Sequence, residues 1–177
     1  MMNSSKVLGR KALFVAISVV ALGAGNAALA GTAGDNLAVS ATVIDNCTIS
    51  TSAIAFGNYD PIVGNATANL DGTGSVTVTC TLDDVVQITL GQGANADAGS
   101  TAAAPLRQMS DGASDFLSYS LFSDASRSVV WGDDATVDQE ATGTGAADAH
   151  TVYGRVSSGQ NKPAGSYTDT VAATVTF

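Results

Sequence analysis

The sequence predicts an all-β protein, an antiparallel sandwich or barrel of short strands. Three observations carry this. No helical period survives beyond the first thirty residues. Apolar residues instead alternate in short runs rich in Thr, Val and Ile, broken by Gly, Asn and Asp. The last run, from Ser166, keeps strict alternation to its final residue. Tyr167, Val171, Ala173, Val175 and Phe177 fall on one face, with Thr168, Thr170, Ala172, Thr174 and Thr176 on the other. A strand ending on an apolar residue in register with its buried face predicts that something covers that face.

The elements follow in order. Residues 1–30 read as a secretory signal peptide. Lys6, Arg10 and Lys11 give a basic start, Ala12 to Gly25 an apolar run, and Ala28-Leu29-Ala30 a cleavage site after Ala30. The apolar run falls short of the roughly 20 residues that span a bilayer, so no membrane insertion is expected. Leu37 to Ile44 alternates, with Leu37, Val39, Ala41 and Val43 on one face. Cys47 to Phe56 carries a weaker strand, and Ser75 to Leu82 a strong one with Val76, Val78, Cys80 and Leu82 inward. Asp83-Asp84 reads as a tight turn into Val85 to Leu90. Phe116 to Phe122 alternates again, and Val129 to Trp131 and Thr151 to Val156 are shorter runs. Gly64 to Gly74, Gly91 to Ala104 and Asp133 to Asp148 read as polar loops, with Gly72-Thr73-Gly74 as a turn. The alanine-rich stretches 94–104 and 141–149 are the only helix candidates, and their glycines weaken them.

Cleavage after Ala30 leaves 147 residues, enough for one domain with a core. It also leaves Arg107, Arg127, Arg155 and Lys162 against sixteen carboxylates, a net charge of −12. So acidic a surface argues against nucleic acid and against an anionic membrane. Export places Cys47 and Cys80 in an oxidising compartment, where a pair has one connectivity. Their disulfide would contribute about 3–4 kcal/mol by the chain-entropy account.

Catalytic chemistry is sparse, so no enzyme and no cofactor is expected. The lone histidine, His150, sits at the start of a strand, and G-x-S-x-G, H-E-x-x-H and C-x-x-C are missing. Aspartates near Gly132 and Asp138 lack EF-hand spacing, so no metal site is expected either. Tyr59 and Trp131 are candidates for a sticky surface patch, with core packing the expected role.

Several segments taken in order resemble a known family. Phe56-Gly57-Asn58-Tyr59-Asp60-Pro61 follows the first cysteine. Leu117-Ser118-Tyr119-Ser120-Leu121-Phe122-Ser123-Asp124 precedes Arg127 and Val130-Trp131-Gly132-Asp133. Tyr153-Gly154-Arg155-Val156 leads to Gly159-Gln160, and the end reads Gly165-Ser166-Tyr167-Thr168-Asp169-Thr170-Val171, then Thr174-Val175-Thr176-Phe177. Together they resemble the spore coat protein U domain family, which includes pilin subunits of archaic chaperone–usher pili. The two cysteines also sit where the family's usual disulfide places them.

The resemblance implies an immunoglobulin-like antiparallel β-sandwich that is incomplete, lacking its last strand and completed by a donor strand. It implies a periplasmic pilus chaperone that lends a strand and an outer-membrane usher. It further implies head-to-tail polymerisation of neighbouring copies or related subunits, in which an N-terminal segment replaces the chaperone. On this reading residues 31–44 are the donor segment, with Leu37, Val39, Ala41 and Val43 entering successive pockets. Residues 45–177 are the domain, and Val171, Ala173, Val175 and Phe177 form the acceptor groove and the chaperone contact. The terminal carboxylate of Phe177 would meet basic chaperone residues. From pattern alone, 31–44 is equally the domain's own first strand. The function implied is a pilus subunit, exported through the periplasm to the cell surface and serving adhesion and biofilm formation. The alternatives are a secreted spore-coat or surface-layer component, or a minor tip adhesin binding a surface or glycan.

Overall fold

The computed structural model describes residues 30–177. The expected signal peptide thus lies outside the described residues except for Ala30. Residues 30–46 contain no strand and are exposed throughout. The strand pattern at Leu37 to Ile44 is therefore not realised as a strand. Leu37, Val39 and Val43 are 89%, 87% and 84% exposed.

Eight strands follow: β1 Cys47–Ser52, β2 Leu70–Cys80, β3 Val85–Leu90, β4 Arg107–Ser110, β5 Phe116–Phe122, β6 Gln139–Thr142, β7 Asp148–Val156 and β8 Ala173–Thr176. They form two antiparallel sheets, β1-β2-β7-β5-β4 and β6-β3-β8. This is an immunoglobulin-like sandwich, and among the described residues no helix occurs. Inward residues alternate as a two-residue period requires: Val76, Val78 and Cys80 on β2, Val86, Ile88 and Leu90 on β3, and Leu117, Tyr119 and Leu121 on β5 are all buried. Trp131 lies between the sheets, fully buried, and its indole N–H donates to the Ile88 carbonyl at 2.9 Å. The Cys47–Cys80 disulfide joins directly paired residues of β1 and β2.

Several boundaries differ from the sequence reading, each for a physical reason. β2 begins at Leu70, not Ser75, so Gly72 and Gly74 lie inside a strand and make no turn. A bare face there is needed: a Cβ on Gly74 would meet the Ile54 side chain, and one on Gly72 or on its cross-strand partner Gly154 would meet Ile54 and Phe56. The chain after Ser52 accordingly leaves its ladder, and residues 53–56 cross over this hollow. β1 thus ends four residues short of Phe56. β4 and β6, four residues each, carry too few apolar positions to show a period, and β6 lies in a stretch read as loop. Val129 to Trp131 forms only a single bridge, Val130 to Phe122. The alanine-rich stretches are turns, loops and strand.

Arg107 departs most from the reading as a surface charge. It is 1% exposed, and its guanidinium donates to the carbonyls of Gly91, Leu90 and Trp131 at 2.8, 2.7 and 2.9 Å. Burial lowers its pKa to about 10, against the opposing pull of Tyr119, Asp169 and Asp133.

Candidate functional site

The terminal stretch serves both sheets. Thr168 pairs with Ser110 at the β4 edge, and five residues later the chain joins β3 as β8. The Thr170 carbonyl accepts from Ala94 N–H, and the Ala172 carbonyl from Gly91 N–H. Backbone groups of successive strand residues point to opposite sides. If 168, 170 and 172 bond toward the body, then Val171, Ala173 and Val175 direct their N–H and C=O groups to the other side. Among the described residues no strand pairs with that side. The free edge of β8 therefore offers unpaired backbone next to an apolar face.

A groove follows this edge. Two adjacent hollows of about 370 and 560 Å³ share Ile54, Phe56, Met109 and Tyr167 in their walls. The first is floored by core side chains including Val76, Leu90 and Leu121, with Val171 and Ala173 on its rim. The second opens between Gly57 to Pro61 and Lys162 to Gly165. The apolar wall residues Ile54, Phe56, Met109, Val171 and Ala173 are only partly buried, whereas the core behind them is closed. Phe56 is held edge-to-face on Tyr119, with ring centroids 6.1 Å apart.

A polar hub fixes the groove's far wall. Tyr119 donates its hydroxyl to Asp169 Oδ2 at 2.6 Å. Asp169 Oδ1 accepts from Ala94 N–H, Asn95 N–H and the Asn95 amide at 3.0, 3.2 and 3.1 Å. Gly93, at φ +90°, presses so closely on Asp169 that a Cβ there would collide with the carboxylate. Burial, then the bond to Asp169, pushes the Tyr119 hydroxyl well above its ordinary pKa, so it stays protonated and donating.

Each sequence-predicted site residue can now be located. Val171 and Ala173 line the first hollow with Ile54 and Phe56, Val175 is half-buried beyond it on the same strand face, and Phe177 is 55% exposed. Leu37, Val39, Ala41 and Val43 are exposed and unpaired in any strand. Tyr59 is packed, not presented: its hydroxyl donates to the Ser157 carbonyl and accepts from Gln160 N–H, both at 2.9 Å. His150 lies within β7, its Nε2 3.2 Å from Asp148 Oδ2. Asp134 accepts from the Thr136 amide and hydroxyl, and among the described residues no His, Cys, Asp and Glu group has the geometry to hold a metal. Sequence reasoning missed Ile54, Phe56, Met109 and the Tyr119–Asp169 pair. The one available signal was Gly72 and Gly74 at a two-residue spacing that continues the Val76-Val78-Cys80 face.

The described residues thus form a β-sandwich whose unpaired β8 edge borders a partly apolar groove. The family model of the Spore Coat Protein U domain matches residues 33–174. The chain is 46% identical over 173 residues to Protein U of Myxococcus xanthus, covering 94% of this chain and 95% of that protein. It shares its fold with a chain of the CsuC–CsuE chaperone–tip adhesion subunit pre-assembly complex from archaic chaperone–usher Csu pili of Acinetobacter baumannii. That match has a TM-score of 0.53 at 21% identity and covers 77% of this chain and 40% of the other, so this chain spans less than half of that chain's length. The chain belongs to the Spore Coat Protein U domain family, a family of structural proteins and not of enzymes.

Proposed function

We propose that this chain is a pilus-type structural subunit that polymerises by strand donation. The observation that carries this is the β8 edge. Its backbone is unpaired, its apolar face is half-buried, and it lines a groove whose floor is core. The exposed Leu37, Val39, Ala41 and Val43 have the two-residue spacing that such a groove accepts. Donor backbone would bond to Val171, Ala173 and Val175, while alternate donor side chains fill the hollows.

In this reading a periplasmic chaperone fills the groove first. An outer-membrane usher then exchanges that strand for the 31–44 segment of the next copy or of a related subunit. The product is a surface fibre serving adhesion and biofilm formation. The complex named in the structural comparison, a chaperone with a tip adhesion subunit, supports the chaperone step. The family's own description favours a second reading, a coat or surface layer built from the same strand-linked units. Electron microscopy of the exported material separates the two, as discrete fibres or as a continuous layer.

The groove itself is tested with two chains: residues 31–177, and the same chain with a second copy of 31–44 linked after Phe177. The expected result is that the second is monomeric and melts higher by roughly 10 °C, the shift that about 3 kcal/mol gives in a domain of this size. Equal melting temperatures and equal oligomeric states would sink the strand-donation reading.

A further inference from the structure

Two exposed apolar pairs lie at opposite ends of the sandwich. Ile62 and Val63 are 71% and 77% exposed, and Leu82 and Val85 are each 66% exposed. Both are rigidly displayed. Asp60 Oδ1 accepts the amides of Ile62 and Val63 at 3.0 Å each, and buried Asn65 ties the loop to Asp60, Ala68 and Gly159. At the other end, Gly143 bonds through its carbonyl to Asp83 N–H and through its amide to the Asp84 carbonyl, holding the turn between Leu82 and Val85.

Their positions relate to the strand site. Pro61, at the mouth of the groove, is followed directly by Ile62. Leu82 follows Thr81, whose amide and hydroxyl both donate to the Asn46 carbonyl. Asn46 is the last residue before the disulfide-anchored Cys47, so it is the root from which the 31–44 segment leaves the body. One apolar pair therefore flanks the groove mouth and the other flanks the donor root.

The tether decides what these pairs meet. Only Ile44, Asp45 and Asn46 separate Val43 from Cys47, a reach of at most about 14 Å at 3.3–3.6 Å per residue. β1 alone carries the chain about 17 Å from Cys47 to Ser52 at strand rise, and the residues after it continue to the groove mouth. A copy thus cannot lay Val43 at its own groove mouth, whereas its neighbour's mouth is open to it. β8 runs the opposite way, toward the Cys47 end. A donor antiparallel to β8 would bring Val43 to the mouth, and the giving copy's Cys47 end would then lie within the tether's reach. A parallel donor would crowd giving and receiving onto one end. The antiparallel direction keeps them apart and repeats without limit, as an open heterologous contact must.

Resting on the strand-donation reading, we propose that Ile62 and Val63 of one copy pack against Leu82 and Val85 of the next copy. They would form an end-to-end contact that clamps each donated strand. Singly, exposed aliphatic residues are unexceptional. Here the short tether brings the two pairs face to face, and closing the contact removes both from water.

The test uses the full chain, exported with its own assembly partners, with polymer length and heat resistance read on sheared surface material. Ile62→Asp with Val63→Asp is expected to shorten polymers at least tenfold. Adding Leu82→Lys with Val85→Lys is expected to restore them, because the new charges attract across the same contact. A labelled peptide of residues 36–45, titrated into each full chain, is expected to bind all of them within about twofold. Unchanged polymers in the Asp variant, or no restoration by the Lys pair, would overturn the end-to-end contact while peptide binding upholds the groove. If the peptide fails to bind even the unaltered chain, strand donation itself falls, and the contact with it.

Discussion

The two ends of the sandwich are made from the same alternating strands but are filled differently. At the Cys47 end, Val78, Cys80, Val86 and Ile88 meet between the sheets at 4% exposure or less. Along the β8 edge, Ile54, Phe56, Met109 and Val171 close only part of the space, leaving the hollows described above. The closed part holds the chain in one fold, and the open part leaves apolar surface half-buried. On the proposed strand donation, that surface is what a donated strand would cover, and a domain that buried both parts would offer such a strand nothing.

The largest effect that probes this contrast comes from truncating one residue in each part. Ile88→Ala is expected to cost about 2–5 kcal/mol, as for a fully buried aliphatic residue, whether or not the groove is filled. Val171→Ala is expected to cost less than about 1 kcal/mol in the chain with an empty groove, because its surroundings are already partly wet. In the chain with residues 31–44 linked after Phe177, the same change should cost roughly twice as much. Urea unfolding of the four combinations checks this. A Val171 penalty independent of the added strand would mean that the strand does not cover it.

A smaller effect distinguishes two glycines that both lie too close to neighbours for a methyl group. Gly143, in the closed part, faces the Thr81 carbonyl, and a Cβ there would collide with backbone that cannot yield. A Cβ on Gly154, in the open part, would lie 2.7 Å from Phe56 Cζ, the far end of a ring with the groove beside it. Gly143→Ala is expected to destabilise by about 1–3 kcal/mol, as overpacking against fixed structure does. Gly154→Ala is expected to cost less than half of that in the empty chain, with Phe56 swinging outward. Its larger effect should be on strand binding, because the displaced ring would occupy the hollow. Thermal melts and peptide titration of both variants decide it.

Much of this was legible in the sequence where side chains alternate in long runs. Val76 to Cys80, Val86 to Leu90 and Leu117 to Leu121 announce their buried faces directly. The disulfide follows from export and the cysteine count, and the half-buried face of Val171, Ala173 and Val175 from the terminal alternation. The far wall of the groove was not legible. Phe56 and Ile54 lie beyond the end of β1, where pairing has stopped and no period marks them. Their place is fixed by glycines sixteen and more residues away. Arg107 reads as a surface charge because nothing in its neighbours announces three backbone carbonyls converging on it. Leu37 to Val43 has the pattern of a strand without forming one. Pattern reports what a segment can pair with, not whether a partner edge is supplied.

The smallest expected effect tests the hub that holds the open part in shape. Tyr119→Phe removes the hydroxyl that bonds Asp169 Oδ2 and leaves the three bonds to Oδ1 intact. The expected cost at neutral pH is about 1 kcal/mol, the net worth of one such bond. Its pH dependence has a definite sign. The Tyr119 pKa is raised on folding above the ordinary value of 10.0, chiefly by burial. Its contribution is therefore complete below pH 10 and is lost as the pH rises beyond that value. Arg107, whose pKa burial lowers to about 10, titrates in the same range in both chains. The informative quantity is accordingly the stability difference between the unaltered chain and Tyr119→Phe, measured by urea unfolding from pH 7 to 11.5. A difference that shrinks above pH 10 shows that the folded chain keeps the Tyr119 hydroxyl protonated, as a buried donor to Asp169 requires. A difference that stays constant across the range would mean that the hub is held by the Asn95 loop alone, and that the groove wall does not depend on Tyr119.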